Sequence, residues 1–98
     1  MAARSVAVVG ASERPDSLGW RVTTEVLRSP GLERVHLVNL RRSSVLGHAC
    51  VPSLSDVPEP VDLVLLGIPD AALVRTLEVA AARGDAGAVV YGPAYGVK

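Results

Sequence analysis

Ser5-Val6-Ala7-Val8-Val9-Gly10-Ala11-Ser12, continuing as Glu13-Arg14-Pro15-Asp16-Ser17-Leu18-Gly19, is the stretch whose reading decides the fold. Its opening residues form an apolar, β-branched run with no polar alternation. That is the pattern of a parallel strand covered on both faces. Gly10 ends the run. Ser17 suits a helix N-cap, and Leu18, Val22 and Val26 recur every four residues, so one apolar stripe is predicted on a helix from about Leu18 to Arg28. Ser29-Pro30-Gly31 stops it.

Working outward, Arg34 to Val38 reads as a second strand and Asn39 to Gly47 as a loop. His48 to Val51 reads as a short edge strand closed by Pro52. Pro58 and Pro60 restrict Ser53 to Pro60 to at most one helical turn. Asp62-Leu63-Val64-Leu65-Leu66-Gly67 is the strongest strand signal in the chain. Asp70 suits the cap of a helix through about Arg83, with Leu73, Val74, Leu77 and Ala81 expected to face inward and Gly84 just past its end. Ala86 to Tyr91 is predicted as the last strand, followed by a glycine-containing tail, Gly92 to Lys98.

Strands alternating with helices imply parallel pairing through right-handed crossovers. The expected fold class is α/β: a Rossmann-like, three-layer, mostly parallel sheet in the order short edge strand, second, first, fourth and fifth. That is half of a doubly wound fold plus one strand, a truncated form. A ligand is then expected over Gly10 to Gly19, Asn39 and Ile68-Pro69, the segments that follow the carboxyl ends of strands. Exposed apolar surface is expected beside the last strand, where further strands of a full domain would dock.

Composition bounds the function. The 98 residues fit one domain, 1–98, read as part of a longer chain. Ten acidic residues balance ten basic ones, which gives no support for nucleic-acid or membrane-surface binding. Cys50 is the only cysteine, too few for an internal disulfide or a cysteine zinc site. Val6 to Val9 is too short for a signal peptide or a membrane span, so a cytoplasmic location is expected. Trp20, Tyr91 and Tyr95 are the only aromatic residues, too few for stacking platforms on single-stranded nucleic acid.

Three segments carry candidate chemistry. A strand-to-helix junction offers free amides and a partial positive charge to a phosphate, and Gly10, Ala11, Ser12, Arg14, Pro15, Ser17, Leu18 and Gly19 form that junction. It departs from the dinucleotide pattern G-x-G-x-x-G, having Ser12 at the second position. A plain capped turn would read the same way. Asn39 stands where an NAD site places an acidic residue, and Arg41 and Arg42 follow. Adjacent guanidiniums suit a phosphorylated ribose, which fits NADP or coenzyme A better than NAD, although a pair of solvated arginines fits equally. Ile68 and Pro69 would supply an apolar wall, or simply a stiff strand exit. His36, His48 and Cys50 have no partners at metal or catalytic spacing. Trp20 could stack on the ligand or simply pack.

Taken together, Ser5 to Ser12, the Val38-Asn39 step, Val45 to Leu54 and Val61 to Pro69 resemble the N-terminal coenzyme-A-binding domain of ADP-forming acyl-CoA synthetases. More distantly they resemble the succinyl-CoA synthetase alpha subunit; the same domain also occurs fused to acetyltransferases. The resemblance implies coenzyme A phosphates at Ser12 to Ser17 and the helix start, the adenosine end near Asn39, Arg41 and Arg42, and a crevice wall at Ile68-Pro69. It implies coenzyme A or acyl-CoA as ligand and further domains or a partner subunit as partners, and a homo-oligomer is compatible with it. The phosphorylated histidine of such synthetases belongs to a later domain, so this segment is expected to hold no catalytic residue. Gly92-Pro93-Ala94-Tyr95 departs from the serine-small-glycine-aromatic run the family has after its last strand. The alternatives are an NADP-binding half-domain of an oxidoreductase and a ligand-free regulatory or interaction domain.

Overall fold

The computed structural model describes residues 4–68 and 70–90. β1, Ser5–Val9, is buried along its whole length. Lacking any polar face, it lies inside the sheet, with β2 (Arg34–Val38) parallel on one side and β5 (Leu63–Leu66) parallel on the other. The registers place Val9 beside both Val38 and Leu66. The full order is β3-β4-β2-β1-β5-β6, where β3 is Ser44–Val45, β4 is His48–Val51 and β6 is Ala88–Val90. The Rossmann-like sheet expected from the sequence is thus present.

One strand was not expected. The stretch 39–47, read as loop, contains β3, which pairs antiparallel with β4. Leu46 and Gly47 both have positive φ, 52° and 80°, the signature of the two-residue turn whose twist matches a hairpin. Leucine seldom occupies such a position, so the turn leaves little trace in the sequence.

Alternate residues of the strands face opposite layers. Ala7, Val9, Val38, Val64 and Leu66 join Leu54, Val57, Val61 and Ala80 in one cluster, under α2 (Asp70–Arg83) and a 3₁₀ turn at Leu54–Asp56. Val6, Val8, Leu37 and Leu65 pack with Val22 and Val26 of α1 (Leu18–Leu27). Of the stripe expected for α1, Val22 and Val26 lie in this cluster, whereas Leu18 is only partly buried and stands outside it.

The stripe expected for α2 is rotated. Val74 is 67% exposed, and Leu77 and Ala81 also face outward, whereas Leu73, Val79 and Ala80 turn to the core. The anchor at the helix end sets this rotation. Arg83 donates from Nη1 to the Val57 carbonyl at 2.7 Å and from Nη2 to the Glu59 carbonyl at 2.6 Å, while its Nε meets Asp85 Oδ2 at 3.0 Å. Ala88 and Val89 of β6 are exposed, as expected for the sheet edge. The cap expected at Asp70 and everything expected of Pro69 and residues 91–98 lie outside what the structure describes.

Asp62, just before β5, ties down the other end of the sheet. Its Oδ2 accepts from the Arg4 amide at 2.9 Å and the Ser5 amide at 3.3 Å. These two amides hold the carboxyl below its usual range. A group with a depressed folded pKa contributes stability above its unfolded pKa and loses it as pH falls through the folded value. Asp62→Asn, which keeps an acceptor but cannot titrate, should flatten the acid side of the stability-versus-pH curve. Equally steep acid unfolding in the variant would contradict this.

Candidate functional site

The β1–α1 junction is held by its own polar atoms. Gly10 has φ +92°, and the Gly10 and Ala11 amides both donate to the Val38 carbonyl. The Ser12 amide donates to Thr23 Oγ1, whose hydroxyl in turn donates to the Gly19 carbonyl at 2.6 Å. Ser12 Oγ accepts from the Arg14 amide. Ser17 Oγ accepts from the Trp20 amide at 3.1 Å, the expected cap, and donates to the Arg14 carbonyl. The expected set of open amides is therefore narrower. At the helix start, those of Leu18 and Gly19 have no acceptor among the described residues, as befits the first turn of a helix.

The two glycines serve chain packing. A Cβ on Gly19 would overlap the Gly10 carbonyl oxygen, and one on Gly10 would overlap the Gly67 carbonyl. The helix start thus lies backbone to backbone on the end of β1. Gly19, expected as part of the ligand-binding junction, has its bare Cα against the end of the strand.

Asn39 and the arginines after it diverge. Asn39 Nδ2 donates to the Ala11 carbonyl at 2.8 Å, and its Oδ1 accepts from the Arg41 and Arg42 amides, each at 2.8 Å. This side chain ties the loop after β2 to the loop after β1. Arg42 then turns to Glu13, Nη1 to Oε2 at 2.9 Å, and Glu13 Oε1 accepts from the Leu46 amide of the hairpin. Arg41 has no carboxylate partner among the described residues.

A crevice of about 580 Å³ opens over the carboxyl ends of β1, β2 and β5, on the α2 side of the sheet. It brings together Gly10, Ala11, Ser12, Asn39, Arg41 and Ile68 from the sequence-derived set. Arg14, Pro15, Ser17, Leu18, Gly19 and Arg42 do not line it, and Trp20 does not either. Val9, Val38 and Leu54 give the crevice an apolar floor. Sequence reasoning missed Leu40, Pro52 and Ser53, and missed Ala72, Arg75, Thr76 and Val79 of α2. The spacing of these last four, one helical face, was the available signal. No aspartate or glutamate lines the crevice among the described residues.

The remaining candidate side chains, His36, His48 and Cys50, lie apart from the crevice. His36 Nε2 lies 3.4 Å from Glu59, and His48 is exposed. Burial and the nearby Glu13 charge push the Cys50 thiol up. Among the described residues no group of histidine, cysteine or carboxylate side chains is arranged to hold a metal, and no helix is long and apolar enough to cross a membrane.

The family model for a CoA binding domain matches residues 4–95. The chain belongs to the coenzyme A-binding domain family. This CoA-binding domain is 28% identical over 87 residues to acetate–CoA ligase (ADP-forming) II of Archaeoglobus fulgidus, covering 89% of the chain and 13% of the relative. It is 31% identical over 93 residues to the alpha subunit of acetate–CoA ligase (ADP-forming) II of Pyrococcus furiosus, covering 95% and 20%. Its fold superposes with a TM-score of 0.82, at 28% identity, on a dinucleotide-forming acetyl-coenzyme A synthetase 1 of Candidatus Korarchaeum cryptofilum, solved in complex with phosphate and ADP. That match covers 91% of the CoA-binding domain and 19% of the synthetase chain. The domain thus spans a fifth or less of the length of these relatives.

Proposed function

We propose that residues 1–98 are a coenzyme-A-binding module of a longer cytoplasmic acyl-CoA synthetase-like or acetyltransferase-fused protein. The adenosine of coenzyme A lies in the crevice over β1, β2 and β5. Gly10, Ala11 and Ser12 form one wall and Ile68 forms the apolar wall. Arg41 takes the 3′-phosphate, and the Leu18 and Gly19 amides with Ser12 face the diphosphate. The thioester chemistry belongs to other domains of that longer protein. The observation that carries this reading is a crevice at the strand carboxyl ends that contains guanidinium and no carboxylate among its described lining residues.

Calorimetric titration with coenzyme A, dephospho-coenzyme A, NADP and NAD tests it. Coenzyme A should bind best, and removing its 3′-phosphate should weaken binding by about tenfold for each charge-assisted contact it makes. Arg41→Ala should reproduce the loss of one such contact. Tighter NADP binding would instead identify an oxidoreductase half-domain. A folded sample that binds none of the four would identify a domain without a nucleotide ligand.

A further inference from the structure

We propose that Arg75, in the second turn of α2, is the partner of Arg41 in reading the ribose phosphate of the ligand. This inference rests on the coenzyme A reading of the crevice. A phosphate monoester carries close to two negative charges near neutral pH, more than one guanidinium balances. The adjacent Arg41 and Arg42 looked like a pair in sequence, but Arg42 is engaged with Glu13 on another surface. The second cation at the crevice comes from 34 residues further on.

Its placement follows from topology. β2 and β5 flank β1, so the loop after β2 and the helix after β5 rise on either side of the β1 carboxyl end. Arg41 stands on the first rim and Arg75 on the second, and both line the same cavity. On the α2 face that meets the cavity, Ala72 and Val79 are apolar, and the Thr76 hydroxyl donates to the Ala72 carbonyl of its own helix. Arg75 is therefore the polar donor this face offers to a ligand. Arg34 and Arg83, like Arg42, sit against carboxylates. Among the described residues Arg75, like Arg41, does not. Two forks approaching from opposite rims enclose a tetrahedral dianion in a way that two neighbours on one loop cannot.

The test is the affinity of the wild type and of Arg75→Gln for coenzyme A and for dephospho-coenzyme A. Glutamine keeps helix propensity and removes the charge, and thermal melting confirms the fold. The variant should bind coenzyme A about tenfold more weakly and dephospho-coenzyme A within about twofold of wild type. Unchanged coenzyme A affinity in the variant, or equal losses for both ligands, would overturn the role given to Arg75 while leaving the crevice assignment intact. A folded wild type that does not bind coenzyme A would remove both.

Discussion

Gly19→Ala will destabilise the domain by about 3 kcal/mol, although alanine is the better helix former by about 1 kcal/mol. The sign reverses because the added carbon overlaps the Gly10 carbonyl. That carbonyl cannot retreat. Gly10, at φ +92°, donates its N–H to the Val38 carbonyl, and the Gly67 backbone lies directly beside it. Relief would require α1 to lift from the sheet, opening its packing of Val22 and Val26 on Val8. Gly31→Ala is the control. Nothing lies within 4 Å of where its Cβ would stand, so it should shift stability by less than about 0.5 kcal/mol. Urea unfolding of both variants decides the matter, and a Gly19→Ala protein as stable as wild type would show that the helix start can move.

Arg83→Met should cost about as much, for an electrostatic reason. The Asp85 side chain is 1% exposed and its Oδ1 accepts from the Val61 amide at 2.8 Å. Removing the guanidinium leaves that carboxylate buried beside one amide, and takes donors from the Val57 and Glu59 carbonyls. Breaking a buried pair typically costs 3–5 kcal/mol. Arg83 itself is 14% exposed and water can replace part of it, so about 3 kcal/mol is expected here. Methionine retains the apolar stem, which separates the charge from the packing. A loss below about 1 kcal/mol would mean that Asp85 finds another donor. Because this anchor sets the rotation of α2, the variant should also bind coenzyme A more weakly through misplacement of Arg75.

How far the chain could be read differs by feature. The strand Ser5–Val9, the helix from Leu18 with its Ser17 cap and the strand Arg34–Val38 were all visible as local patterns. They depend on periodicity and caps within a few residues, and such interactions need no knowledge of the rest of the chain. The order of strands followed from the alternation of strand and helix, since crossover handedness leaves few alternatives. The position of the crevice followed from that order.

What needed the folded chain was every feature set by contacts distant in sequence. Two apolar stripes compete on α2, and periodicity cannot choose between them. Arg83 chooses, by reaching carbonyls 24 and 26 residues earlier. Arg41 and Arg42 are neighbours by covalent bond, yet Glu13, 29 residues from Arg42, draws that guanidinium away. The neighbour that makes glycine necessary at position 19, the Gly10 carbonyl, arrives only when the helix docks. Sequence determined which segments coil and which extend, and hence where the strand ends gather. Tertiary structure decided which side chains meet there, because a side chain's partner depends on the crossing of distant segments and a backbone torsion does not.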